Sequence, residues 1–226
     1  METQRVIFST EETGLFGSEV KRRVAEYFES RGLSPKGDVW MIVKTLVILT
    51  IAFGSYGLIL TGWFSPPQML GLAILMGVGT AGIGFCVAHD ALHDAHSSNP
   101  RVNRLLGYSF DLIGANSYMW KVTHNVIHHT YPNIHGVDED LEVSELLRLS
   151  PGATRRPLHR FQHLYVFFLY PLATLSWVLF RDYANFFRAR FGWYDNSRRP
   201  VKEMIRLFLY KLFYYAVFLA VPMAVL

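Results

Sequence analysis

Residues 68–96 read QMLGLAILMGVGTAGIGFCVAHDALHDAH, and the fold turns on this stretch. From Gln68 to Ala88 it carries no charge and is rich in small residues: Gly71, Gly77, Gly79, Ala81, Gly82 and Gly84. Small residues let membrane helices approach backbone to backbone. The apolar run then passes straight into His89, His93 and His96. Upstream, Phe64-Ser65-Pro66-Pro67 forms a tight turn flanked by Trp63, and Val39–Gly62 is a second apolar run. As a helix that run would extend about 36 Å, enough to cross a hydrocarbon layer of about 30 Å. Lys44 sits near its start and is placed to snorkel towards headgroups. Together the two runs predict a transmembrane hairpin.

The flanking charges orient it. Six Lys/Arg precede the first run, seven lie between His89 and His163, and the turn has none. By the positive-inside rule both outer ends of the hairpin are cytoplasmic. The segment of residues 1–38 mixes acids and bases and contains no signal peptide. Within it, Gly17–Arg31 reads as an amphipathic helix with Val20, Val24, Tyr27 and Phe28 on one face, stopped by Gly32 and Pro35. Residues 39–226 then form one domain, incomplete at its C-terminus because an apolar run opening near Leu207 is still apolar at Leu226. Leu164–Phe180 is apolar but spans 17 residues around Pro171 and has basic flanks, so an interfacial or re-entrant helix is expected. The fold class is all-α: an integral membrane protein with a transmembrane hairpin and a cytosolic, histidine-rich helical cap. Apolar residues make up 51% and charged residues 18%, which fits a membrane protein with sizeable polar sections. The net charge of +4 is clustered and no nucleic-acid module accompanies it, so membrane lipids are the expected partner and nucleic acid is not. A single cysteine, Cys86, excludes a disulfide framework and a multi-cysteine zinc ribbon.

All nine histidines fall between His89 and His163. Two clusters stand out: His89, His93, His96, and His124, His128, His129. If the helix continues, the first three lie within about 60° of one another. His124 and His128 share a face, while His129 points about 140° away, an arrangement suited to two metals better than one. Asp90 and Asp94 are placed to orient imidazoles through their second nitrogens. His96, His135, His159 and His163 are read as packing or hydrogen-bonding residues. Asp138, Glu139, Asp140 and Glu142 are read as a solvated acidic loop, with a role around the metal as the alternative. Imidazole suits zinc, copper, nickel and iron. The absence of His-Glu-x-x-His and of Glu-x-x-His disfavours a zincin protease and a carboxylate di-iron bundle.

At these clusters the chain resembles the membrane fatty acid desaturases, particularly the bacterial acyl-lipid and linoleoyl-CoA desaturase-like group. His89 and His93 match the first histidine box of that family, and His124, His128 and His129 match the second. The resemblance extends to Asn116-Ser-Tyr-Met-Trp-Lys121, His-His-Thr-Tyr-Pro-Asn133, Gly-Val-Asp-Glu-Asp140, His159-Arg-Phe-Gln-His163 and Ser34-Pro-Lys-Gly-Asp38. It implies two non-haem iron ions held by His89, His93, His124, His128 and His129, with O2 as co-substrate. The implied reaction places a cis double bond in an acyl chain, carried as acyl-CoA or acyl-lipid. No histidine follows His163, so a third box is missing and these residues alone are expected to be inactive. No His-Pro-Gly-Gly occurs, so a separate electron donor of ferredoxin or cytochrome b5 type is implied. The group likened here is bacterial, which implies the inner membrane. Two rivals stand beside this reading: a histidine-box hydroxylase or ketolase acting on a lipid, and a membrane haem or metal-binding protein.

Overall fold

A computed structural model describes residues 10–141 and 144–226, whose regular structure is helical apart from one minimal β-hairpin. Helix α1 (Thr10–Ser30) begins earlier than the Gly17 start expected and stops where Gly32 takes φ +60°. Arg22 ties Glu19 and Glu26 along its polar side, and Val20, Val24 and Tyr27 remain exposed.

The hairpin forms as its sequence predicts. Asp38 caps α2 (Val39–Leu60), accepting the Trp40 and Met41 N–H groups at 3.0 and 3.2 Å. Ser65 and Gln68 box the start of α3 (Pro66–Leu92), where Pro66 supplies a pre-set φ and lacks a donor the helix end does not need. Gly79 is why the two helices touch: a Cβ there would lie 2.5 Å from the Ala52 nitrogen. Outward-facing Leu46, Leu70 and Phe85 are exposed, the pattern of a helix whose surroundings are apolar.

Beyond α3 come three short helices: α4 (Pro100–Gly107), α5 (Ser109–Leu112) and α6 (residues 117–128). Asn99 and Asn116 cap α4 and α6 through the Arg101 and Met119 N–H groups, at 2.9 and 2.8 Å.

Two further helices are longer than expected. Helix α7 (Pro157–Phe187) has 31 residues rather than 17, because polar Gln162, Arg181 and Asp182 continue the helix past its apolar middle. Helix α8 (Val201–Val225) starts before Leu207, since its early charges are neutralised in place. Arg206 pairs with Glu203 at 3.1 Å. Lys211, 2% exposed, donates to Asp182 Oδ2 at 2.8 Å and to the Gly114 and Val178 carbonyls at 2.6 and 2.9 Å. That cation ties α8 to α7 and to the turn after α5. Among the described residues four helices, α2, α3, α7 and α8, are long and apolar enough to cross a membrane.

Between α7 and α8 the strands β1 (Arg190–Phe191) and β2 (Tyr194–Asp195) pair antiparallel. Phe186 and Phe191 pack with Met119, Val122 and Ile127 of α6 and Leu207 of α8. A second cluster joins Ala88 and Leu92 of α3 to Phe110 and Trp120. The second cluster holds α6 against the end of α3, and the first holds it against the end of α7, β1 and α8.

Candidate metal centre

The histidine clusters meet where α3 ends. Asp94 takes φ +55°, and the Ala95 and His96 N–H groups both return to the Asp90 carbonyl, at 2.8 and 3.2 Å. His89 and His93, before that turn, lie with ring centroids 4.6 Å apart. His96, after it, is buried against α2 with Nε2 2.8 Å from Thr45 Oγ1. The expectation that three imidazoles share one face is therefore corrected to two, because the helix stops first. Asp90 reaches His89 Nδ1 at 3.4 Å and accepts Lys44 Nζ at 3.0 Å. Asp94 does not take the orienting role expected of it. Its carbonyl accepts Lys36 Nζ at 2.9 Å, and among the described residues its carboxylate meets no imidazole.

Residues 121–128 wind as a π-helix, and the His129 N–H donates to the His124 carbonyl five residues back, at 3.0 Å. The wider turn corrects the divergence expected of His129. Its ring lies 4.8 Å from that of His124 and 4.7 Å from that of His93. Single π turns recur at functional sites because they re-aim side chains in this way. His128 stacks on His124 at 5.0 Å, and Trp120 stacks on the other side of His124 at 4.3 Å. All five imidazoles of the two boxes thus form one group. Within it, His89, His93 and His124 can bring ligand atoms within 4.8 Å of one another, and so can His124, His128 and Asp140.

Two carboxylates of the acidic loop turn to the histidines. Asp138 is 1% exposed and accepts from His128 Nδ1–H at 2.9 Å and from the Asn133 N–H at 2.7 Å. Asp140 accepts from His124 Nδ1–H at 3.1 Å. Burial opposes charge on Asp140, but the His124 hydrogen bond and nearby His128 keep its carboxyl below the ordinary range. Glu139 turns to Arg188, at 2.9 Å. Glu142 lies outside the described residues. His159 bonds the Glu145 carbonyl at 3.0 Å and His163 is exposed, so neither joins the group.

Beside the imidazoles opens a cavity of about 710 Å³, with His89, His124 and Trp120 at one end. It follows α3 back to Gly77 and Ala73, some 24 Å along the helix axis. Trp177 and Phe218 close its side.

The fatty acid desaturase family model matches residues 61–226. The chain belongs to the fatty acid desaturase family. It is 35% identical over 214 residues to an sn-1 linoleoyl-lipid 6-desaturase of Arthrospira platensis, covering 93% of this chain and 57% of that protein. A Synechocystis protein of the same description is 32% identical over 91% of this chain and 57% of its own length. An acyl-lipid (8-3)-desaturase of Physcomitrium patens is 32% identical over 86% of this chain and 41% of its own. This desaturase-family chain therefore spans a little over half the length of the first two relatives. No solved structure matches it.

The residues fit the metal the family implies. His93 Nε2 is buried and without a hydrogen-bond partner among the described residues, as an atom awaiting a ligand would be. Burial, with His89 next, pushes His93 down to about 4, so its ring is neutral at ordinary pH with a lone pair to give. Carboxylates occupy Nδ1 of His124 and His128, leaving each Nε2 free to bind. For this desaturase-family chain, sequence reasoning undervalued Asp138, whose only signal was a carboxylate ten residues beyond a box histidine.

Proposed function

We propose that the protein carrying this chain is an O2-dependent lipid desaturase, placing a cis double bond in an acyl chain bound in the α3 cavity. The observation that carries this reading is the convergence of five box imidazoles, of which His89 and His124 line one end of a long apolar cavity. Ligand cavities of this size bury most of a small ligand, and an extended chain suits this shape. Iron is the proposed metal, with His89, His93, His124, His128 and His129 as ligands and Asp90, Asp138 and Asp140 orienting three of them. Bound iron would supply the oxidation: O2 takes four electrons and four protons to give two waters, half of them from two adjacent methylenes and half from an external donor. The rest of the task belongs to the chain. His93 stays neutral, Trp120 packs the rings in place, and the cavity walls exclude water while setting which carbon approaches. The relatives are described as acting on lipid-linked chains, which favours an acyl-lipid over an acyl-CoA. The donor is proposed to be of ferredoxin or cytochrome b5 type. The site is proposed to face the cytoplasm of a bacterial inner membrane.

Expression of the protein in a bacterial host with a ferredoxin system, followed by lipid fatty acid analysis, tests the proposal. New double bonds without added oxygen are expected. A hydroxylated or ketonic product would replace this reading with the hydroxylase one, and a Soret band with no new product would favour a haem protein.

A further inference from the structure

The cavity beside the histidines changes character along its length. Its inner end is walled by Ala52, Phe53, Ala73, Met76 and Gly77, which offer neither charge nor a side-chain hydrogen-bond donor. Its charged lining residues are Asp140, Arg181 and Asp182. Asp140 accepts from His124 at 3.1 Å, and Arg181 lies close enough for its charge to act on that carboxylate. Charge is thus gathered at the histidine end.

Helix α7 contributes one stripe to this wall, Thr174, Trp177, Val178, Arg181 and Asn185, at helical spacing. Two strong donors at the end of the stripe have nothing to bond. Among the described residues the Arg181 guanidinium makes no hydrogen bond or salt bridge, and it lies 5.7 Å from the centre of the Trp177 ring. Asp140 and Asp182, acids that feel its charge, are engaged by His124 and by Lys211. One turn on, Asn185 accepts through its backbone carbonyl, while its side-chain amide has no partner among the described residues. Both side chains are half-buried. A half-buried guanidinium without an acceptor is costly, and a ligand oxygen would remove that cost.

We infer that Arg181, with Asn185, anchors the polar head of the acyl chain by donating to the carbonyl oxygen through which the chain joins its carrier. The methyl end then runs towards Ala73, and the carbon that meets the imidazoles is fixed by its count from that carbonyl. An apolar wall alone lets an acyl chain slide, because one methylene replaces the next at the same burial. A hydrogen-bonded head removes that freedom, and donors built to meet an oxygen reject a chain that lacks it. The inference rests on the desaturase reading and adds to it the residues that set the position of the double bond.

Cells expressing the whole protein with a ferredoxin system, their double bonds located by mass spectrometry, test it. Arg181→Gln should lower conversion roughly tenfold and spread the double bond over neighbouring carbons. Arg181→Lys keeps a cationic donor and should hold a single position. Unchanged conversion in Arg181→Gln, or reduced conversion at one unchanged position, would overturn the inference. Binding to the purified wild-type protein decides where a variant yields no product. A dibrominated methyl stearate should quench the fluorescence of cavity-lining Trp120 and Trp177 at roughly tenfold lower concentration than a dibrominated octadecane, which lacks the carbonyl. Equal affinity would overturn the inference. Wild-type cells without new double bonds would instead overturn the desaturase reading, and the binding comparison would still test the anchor.

Discussion

Asp138 shows how much a single buried side chain decides at this site. Its carboxylate is fixed by the Asn133 and Asp140 N–H groups, at 2.7 and 3.0 Å, and in turn fixes His128 through Nδ1. Asp138→Asn keeps the shape but removes the charge and turns one of the two accepting oxygens into a donor, which faces N–H groups on either side. Metal retention or activity should fall by roughly 10–100-fold. Iron per purified chain, read beside an unchanged far-UV circular dichroism spectrum, checks this. Asp111 gives a separate prediction, about pH. Burial pushes its carboxyl up to about 6, while Oδ1 accepts the Ser117 N–H and Oδ2 is buried without a partner among the described residues. The folded state holds this proton more tightly than the unfolded one. Its contribution is therefore full below the ordinary carboxylate range and is lost as pH rises from about 4 to about 6. A shift of about two units corresponds to at most about 3 kcal/mol. Asp111→Asn should flatten that slope, as unfolding of the solubilised protein at pH 4.5 and pH 7 would show. An equal slope in the variant would assign it to other groups.

At the level of elements, contacts between helices depend on a few positions. Lys211 is the clearest, because a nearly inaccessible ammonium joins α8, α7 and the Gly114 turn through three acceptors. Its partner Asp182 also accepts Trp177 Nε1–H at 2.8 Å. Removing one charge leaves the other buried and uncompensated, which costs about 3–5 kcal/mol. Lys211→Met should accordingly lower thermal stability sharply in detergent. The double variant Lys211→Met with Asp182→Leu should recover most of the loss, since no lone charge remains. A double variant as unstable as the single one would mean that the carbonyl contacts, not the ion pair, hold α8 in place. The π turns act at the same scale. In α6 the π turns that close the helix move His129 from divergence to convergence.

For the whole molecule, the cavity joins the hairpin, α7 and α8 into one functional volume. Gly77 borders it, and a Cβ there would meet nothing within 4 Å. Gly77→Phe would fill that space some 18 Å along α3 from His89. Conversion of the longest acyl chains should fall roughly tenfold, while shorter chains are spared. Fatty acid profiles of cells expressing the two forms would decide this. Unchanged conversion of every chain length would mean that the substrate does not occupy the inner end.

The sequence determined the hairpin, the class of fold and the presence of two histidine clusters, because each is a local pattern. Apolar runs of membrane length, a Pro-Pro turn and imidazoles at helical spacing need no knowledge of distant residues. Only the tertiary structure decided where those patterns stop and what they face. The ideal helix that joined His96 to His89 and separated His129 from His124 failed twice, once at a left-handed Asp94 and once at a π turn. Neither departure has a composition signal. Asp138 read as one carboxylate among several, and folding buried it because His128 lay within reach and two backbone N–H groups could satisfy it. For α7, hydropathy gave an apolar stretch of 17 residues, and only folding showed the polar residues that extend the helix to 31.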